Sequence, residues 1–261
     1  MDRHKDFASY VALKKKIFTH QTQRDFLILN QDDPITRDLG KDCPSECILF
    51  STQVELKKGV FLRGNKIIAR LNNSETEILS LESLSRGMQW QVENILPAIA
   101  TALLFNVPQD AIERALQNFS SLEHRLEWVR NLNGVDFIND SKGTNVGSVC
   151  KSLNTFNRPI VLIVGGKDKG ADFSPLKTLM KEKVKHMVLI GETRKKFKGI
   201  LNGSFGYEES ESLEEAVSLA RARAEDGDIV LLSPACSSFD MFKDYMDRGT
   251  CFKTIVKNLK G

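Results

Sequence analysis

The sequence predicts an α/β protein in two domains, 1–119 and 120–261, the second built on a doubly wound, mostly parallel sheet. Three observations carry this. "PIVLIVGG", "HMVLIG" and "GDIVLLS" are continuous apolar runs, the pattern of strands covered by helices on both faces. Helix-compatible segments separate them, and right-handed strand–helix–strand units place ligand loops beyond the carboxyl ends of the strands. This alternation begins only near residue 120, and 261 residues are enough for two domains with a core each.

In the first domain, Phe7, Tyr10, Leu13 and Ile17 recur at helical spacing and predict an amphipathic helix over 6–19, with Lys14, Lys15 and Lys16 near its end, where they suit the helix dipole. "DFLILN" reads as a short buried strand closed by Asp32-Asp33-Pro34. Residues 46–80 read as β-structure, with a hairpin around Arg63-Gly64-Asn65-Lys66. In "WQVENILPAIATALLF", Val92, Ile95, Ile99 and Leu103 predict a helix that Pro97 should kink or restart. Another helix, 108–119, is expected to open with Pro108 as its first residue. The second domain begins with "LEWVRNLNGVDFIND", whose Asn133-Gly134 is a strong hairpin signal. Further on, Ser212 with Glu215 has the spacing of a helix capping box.

Composition narrows the function classes. The net charge of +3 comes from 37 basic and 34 acidic residues spread along the chain, too small an excess for a nucleic-acid groove. No apolar run approaches the roughly 18 residues of a membrane span. "MDRHKDFASY" lacks the basic and apolar pattern of a signal peptide, so a cytoplasmic location is expected. Five cysteines without a C-x-x-C pair argue against a disulfide framework or zinc ribbon and for buried, reduced thiols.

Three loops follow predicted strands on one rim: "NDSKGTN" after 135–138, "GGKDKGADF" after 160–164 and "SPACSSFDMFKDY" after 229–232. Gly165, Gly166 and Gly170 permit close backbone approach, Lys142, Lys169 and Lys243 are candidate anion ligands, and Thr144, Ser237 and Ser238 can cap helices or hold a carboxylate. Each feature has a plainer explanation. Thr144 and Ser238 precede helical stretches, where such residues are ordinary N-caps more often than ligand contacts. The pair His124-Arg125 reads as surface. Gly165-Gly166 is not the G-x-G-x-x-G of a dinucleotide site, and no G-x-S-x-G supports a hydrolase triad. Their convergence on one rim describes a polar pocket for a small anion.

The strings "HRLEWV", "FINDSKGTNVGS", "GGKDKGADFSPL" and "LLSPACSSFDMFKDYMDRGTCF" resemble, in this order, the C-terminal domain of the Mur ligases of peptidoglycan synthesis, in their D-glutamate-adding branch. "MDRHKDFASYVALKKKIF", "LNQDDP" and "VENILPAIATAL" resemble the latter part of that family's central ATP-binding domain. The resemblance spans nearly the whole chain. It implies a Rossmann-like C-terminal domain behind part of a central α/β ATP-binding domain. The implied reaction is ATP-dependent addition of D-glutamate to UDP-N-acetylmuramoyl-L-alanine through an acyl phosphate, with Mg2+ as cofactor and a monomeric complete enzyme. Residue by residue, Lys14 falls where the family carries a carbamylated lysine that assists magnesium binding. Asn94 matches a residue near the adenine, and Arg125 one that reaches the ATP phosphates. Asp140 and Lys142 match the nucleotide-contacting and charge-stabilising pair of the D-S-K loop. Thr144, Lys169, Ser238, Phe239 and Tyr245 match positions around D-glutamate.

Departures from the family pattern set further expectations. No G-x-x-x-x-G-K-[ST] occurs in the sequence, so the cradle for the ATP phosphates and the domain for the UDP group are expected from a missing N-terminal portion of the same enzyme, without which the chain is expected to be inactive. The family's magnesium-binding histidine would fall immediately before Met1, and His4 is not that residue. The His-Asn expected ahead of "VEN" reads Trp90-Gln91. The alternative class is a non-catalytic module that binds a nucleotide or an amino acid without turning it over.

Overall fold

The computed structural model describes residues 5–72, 74–201 and 206–260, and His4 lies outside them. The chain divides into two compact units, Met1–Ser120 and Ser121–Gly261.

The first unit holds a five-stranded sheet in the order β1 (Phe26–Asn30), β2 (Glu46–Ser51), β3 (Gly59–Arg63), β4 (Lys66–Leu71), β5 (Ser74–Ser80). The first three strands run parallel and the last two pairings are antiparallel. Arg63 pairs with Lys66, so Gly64 and Asn65 alone make the turn the sequence announces. Helix α1 (Phe7–Lys15) leads into a short 3-10 turn, and α2 (Pro34–Leu39) follows β1. Helices α3 (Val92–Leu104) and α4 (Gln109–Asn118) close the unit. Ile95, Leu96 and Ile99 of α3 pack on Ile48, Val60, Ile67 and Ile78 of the sheet. Fully burying each such side chain contributes about 1.5–3 kcal/mol.

Three expectations need correction here. The apolar stripe predicted over 6–19 ends its α-helix at Lys15, and Phe7, Tyr10, Leu13 and Ile17 are all exposed, only Phe18 being buried. Periodicity identifies a face but not what covers it. Pro97 does not restart the helix, because α3 runs through it. The proline lacks only the N–H that would reach the Glu93 carbonyl, and packing on both sides of it holds the turn. Pro108 is the residue before α4 rather than its first, with extended ψ, and its carbonyl accepts from Ala111 and Ile112 N–H.

The second unit is a six-stranded sheet in the order β10 (Tyr207–Glu209), β9 (Val184–Ile190), β8 (Ile160–Gly165), β11 (Ile229–Leu232), β7 (Val135–Asn139), β6 (Glu127–Leu132). Every pairing is parallel except β6 with β7. Leu132 pairs with Val135 across Asn133 and Gly134, whose φ values of 50° and 78° are those of a type I′ turn. Helices α5 (Val146–Asn154), α6 (Leu176–Lys183), α7 (Arg194–Leu201), α8 (Leu213–Arg223) and α9 (Tyr245–Asn258) flank the sheet. Val135, Phe137, Val161, Ile163, Val230 and Leu232 form one core with Ala216 and Val217 of α8 and Phe252 and Val256 of α9. The intervening Ile138, Ile160, Leu162, Met187 and Leu231 are buried as completely. Both faces of the sheet are therefore covered, which is why the strands read as unbroken apolar runs.

Ser212 caps α8 by accepting from Glu215 N–H, and the Glu215 carboxylate accepts from Glu211 N–H and Ser210 Oγ, its pKa lowered by those bonds and also by the Ser212 N–H. Of the five free thiols only Cys236 is buried, the other four being partly exposed. Among the described residues no helix is long and apolar enough to cross a membrane.

Candidate functional site

Because β7, β8, β9 and β11 run parallel, their carboxyl ends release four loops on one edge of the second unit. Backbone bonds sew these loops together. Asp140 N–H donates to the Leu232 carbonyl at 2.8 Å, Gly165 N–H to Pro234 at 2.9 Å, Ala235 N–H to Gly143 at 2.8 Å, Lys167 N–H to Ser237 at 2.9 Å and Thr193 N–H to Gly166 at 3.1 Å. The floor of the edge is thus fixed by main chain, and side chains decide what it can hold.

The loop after β7 begins with Asp140, which is buried. Its carboxylate accepts from Ser152 and Ser233 Oγ, both at 2.7 Å, and from Leu126 N–H at 3.4 Å. Burial outweighs those bonds and pushes the carboxyl pKa up to about 6. The folded state therefore holds this proton more tightly than the unfolded chain, whose Asp titrates at roughly 3.9. The advantage of the neutral form is full below that value and is lost as pH rises through about 6. Asp140→Asn should consequently stabilise the protein at pH 8 by about 2 kcal/mol and flatten the stability profile between pH 4 and 7. Urea unfolding across that range checks this, and an unchanged profile would refute it.

Arg248 of α9 is 1% exposed. Its guanidinium donates from Nε to Ser141 Oγ at 2.9 Å, from Nη2 to the Ser141 carbonyl at 2.8 Å, and from both terminal nitrogens to the Cys236 carbonyl at 3.3 Å. One side chain thereby joins the loop after β7 to the loop after β11. Burial draws its pKa down to about 10, so it stays charged at neutral pH.

His124, read from sequence as surface, is buried beneath α9. Gly249 makes the room, since a Cβ there would lie 2.2 Å from His124 Nδ1. Asn139 Nδ2 donates to that nitrogen at 2.9 Å, and burial lowers the imidazole pKa, so the ring is neutral and carries its proton on Nε2. The His124 carbonyl accepts from Lys142 N–H at 3.0 Å.

The cap assignments for Thr144 and Ser238 are also corrected. Asn145 caps α5 by accepting from Ser148 N–H, and Asp244 caps α9 by accepting from Asp247 N–H. The Thr144 and Ser238 hydroxyls bond to none of the described residues. The two lysines are similarly uncommitted. Lys142 Nζ lies 3.7 Å from the Tyr245 ring centroid, and Lys169 Nζ lies 5.9 Å from that of Phe239. Among the described residues neither ammonium pairs with a carboxylate, whereas Lys185, Lys196 and Lys253 each do. Arg125 is exposed beside this edge, and Asp140 feels its charge. Asp240 accepts from Glu192 N–H at 3.0 Å through one oxygen, while the other is buried without a partner. The second unit thus gathers Arg125, Asp140, Lys142, Thr144, Lys169, Ser238, Phe239 and Tyr245 at one sheet edge.

Residues 124–236 match the family described as "Mur ligase, glutamate ligase domain", and residues 1–102 match "Mur ligase middle domain". The chain belongs to the Mur ligase family. It is 40% identical over 259 residues to UDP-N-acetylmuramoylalanine--D-glutamate ligase of Geotalea uraniireducens and 41% identical over 261 residues to that of Geotalea daltonii. These alignments cover 99% and 100% of the chain but 57% of each relative. Among solved structures it resembles a pseudomurein peptide ligase type C from Methanothermus fervidus, with TM-score 0.68 and 17% identity over 98% of this chain and 60% of that one. It also resembles MurF ligase from Thermotoga maritima in complex with ADP, with TM-score 0.60 and 15% identity over 97% and 58%. At those identities the likeness extends to the fold alone.

The remaining Mur ligase positions lie in the first unit. Asn94 is exposed on α3 and donates from Nδ2 to Gln91 Oε1 at 3.0 Å. Lys14 is exposed on α1, its Nζ 5.4 Å from the Tyr10 ring centroid. Mur ligases use ATP.

The sequence reading missed Arg248, Asn139 and Asp240, and misplaced His124. One local signal was available, the glycine at 249 inside a helical stretch, which costs about 1 kcal/mol relative to alanine and implies a close neighbour.

Proposed function

We propose that the chain forms the amino-acid-binding part, with some of the nucleotide side, of an ATP-dependent ligase that adds D-glutamate to UDP-N-acetylmuramoyl-L-alanine. The observation that carries this reading is the set of groups on one edge that make no ion pair or hydrogen bond with the described residues, the Lys142 and Lys169 ammoniums and the Thr144 and Ser238 hydroxyls. Such a set suits a small dicarboxylate, whose two anionic groups need separated donors. The identity of about 40% to ligases named for D-glutamate supplies the choice of amino acid.

In this reading the carboxylate of the UDP-linked substrate attacks the terminal phosphorus of ATP and ADP leaves. The amine of D-glutamate then attacks the acyl carbon and, as it loses a proton, phosphate is expelled. Lys142 offsets negative charge on the transferring phosphoryl group, Arg125 meets the nucleotide phosphates, and Asn94 lies by the adenine. Lys169, Thr144 and Ser238 hold the D-glutamate carboxylates, with Phe239 and Tyr245 beside them. Asp140 acts through its bonds to Ser152 and Ser233, which fix the loop that carries Lys142. No G-x-x-x-x-G-K-[ST] lies within the 261 residues, so ligation requires a phosphate cradle beyond them.

The test is a titration of D-glutamate into the 15N-labelled chain followed by NMR, with L-glutamate as control. Shifts should be confined to the loops at 140–145, 165–170 and 236–245, and should be lost in Lys169→Ala. No shift at millimolar D-glutamate, or equal shifts with the variant, would count against this assignment.

A further inference from the structure

Both site lysines lie by aromatic faces and, among the described residues, pair with no acid, and the closer pair is built into the backbone. Lys142 N–H is tied to the His124 carbonyl, and the Lys142 carbonyl accepts from Thr144 N–H at 2.8 Å, so the lysine leaves a fixed turn. The carbonyl of Tyr245, the first residue of α9, accepts from Ser141 Oγ at 2.8 Å, the residue adjoining Lys142. Arg248, one turn further along α9, grips the same Ser141. The Tyr245 ring is itself backed by the buried His124, whose ring meets it edge-on at 6.1 Å and 81°. The Tyr245 hydroxyl bonds to none of the described residues, so within the unit the ring works through its face. Asp140, two residues before Lys142 in sequence, has its oxygens engaged by Ser152, Ser233 and Leu126 N–H.

We propose that Tyr245 is a positioning residue for Lys142, its ring face holding the ammonium in place while leaving its charge uncompensated for an arriving phosphoryl or carboxylate oxyanion. A carboxylate could fix the lysine equally well, but it would cancel the charge and have to be displaced. A π face attracts the cation through its quadrupole and has no net charge to surrender. This inference rests on the reading of Lys142 above and adds how the lysine is kept ready. It gives Tyr245 a task that D-glutamate contact does not require.

The experiment uses the whole chain with 13C-labelled lysine. An ammonium 3.7 Å from a ring centroid places the adjoining ε-methylene in the ring current, so Lys142 should show upfield ε protons without any ligand, assigned by their loss in Lys142→Gln. Tyr245→Phe should keep the shift and Tyr245→Leu should abolish it. Inorganic pyrophosphate then serves as the oxyanion probe. Its dissociation constant should be unchanged in Tyr245→Phe and weakened about three- to tenfold in Tyr245→Leu, with the backbone amide spectrum elsewhere in the unit unaltered. Absence of the upfield signal, its survival in Tyr245→Leu, or equal pyrophosphate affinity in wild type and Tyr245→Leu would each overturn the proposal. None of these readouts involves D-glutamate, so a failure of the ligase reading would show separately in the amino-acid titration.

Discussion

Arg248→Met should destabilise the second unit by about 3 kcal/mol and abolish D-glutamate binding. Two effects oppose each other at this position. Burying a guanidinium is unfavourable, as its pKa of about 10 records, and a hydrophobic side chain of similar length removes that desolvation penalty. The acceptors, however, stay where they are. Without the fork, the carbonyls of buried Ser141 and Cys236 and the Ser141 hydroxyl lose donors, at about 1–3 kcal/mol for each group left unsatisfied. Ser141 Oγ keeps its bond to Tyr245, so the sum stops short of the additive limit. Arg248→Lys should recover little, because one ammonium cannot reach two loops in the planar geometry these bonds need. The measurement is urea unfolding followed by Trp128 fluorescence in a Trp90→Phe background, which confines the signal to the second unit. A loss under about 1 kcal/mol for Arg248→Met would show that the backbone bonds hold the loops without it.

How much of this was legible in the sequence depends on the distance over which each feature is decided. The Asn133-Gly134 turn was legible because two residues and their φ angles settle it. The apolar strands were legible because burial on both faces leaves a mark on each strand separately. The three loops of the candidate site followed from strand direction alone. Arg248 was not legible, since its partners lie 107 and 12 residues away and nothing local marks an arginine as buried. His124 failed for the same reason, its burial being set by Gly249 on α9. The caps at Thr144 and Ser238 failed in the other direction. A competent residue stood near a helix start, but Asn145 and Asp244 took the position, and that displacement is what frees both hydroxyls.

The lysines mark the same boundary between local and distant information. Sequence identifies Lys142 and Lys169 as cations beside glycines on a rim, which many surface lysines share. Only the fold shows that each lies by an aromatic face and, among the described residues, forms no ion pair, while lysines elsewhere in the unit pair with carboxylates. A cation without a counter-ion is unremarkable when solvated. When part-buried over a ring, as Lys142 is, it has exchanged some of its water for a neutral neighbour, and the arrival of an anion returns what was given up.

Gly166→Ala should cost about 3–5 kcal/mol and disrupt the site. Two independent causes add. Gly166 has φ of +142°, where an L side chain is strained by about 1–3 kcal/mol. Its added Cβ would also lie 2.4 Å from the Ser237 carbonyl oxygen, which is backbone and cannot swing aside. That carbonyl accepts from Lys167 N–H at 2.9 Å, so relieving the clash breaks a bond between the loops after β8 and β11. On the other side, Gly166 N–H donates to Thr193 Oγ and its carbonyl accepts from Thr193 N–H, which prevents the glycine from retreating. Gly170→Ala supplies the contrast on the same loop. Its φ of +74° also disfavours alanine, but nothing lies within 4 Å of the added Cβ, so about 1–2 kcal/mol of backbone strain is the whole expected cost. Unfolding monitored at Trp128 should separate the two variants by about 2 kcal/mol or more, and D-glutamate shifts should survive in Gly170→Ala while vanishing in Gly166→Ala. Equal losses in the two would mean that backbone strain alone sets the cost, and that the contact with Ser237 does not hold the site together.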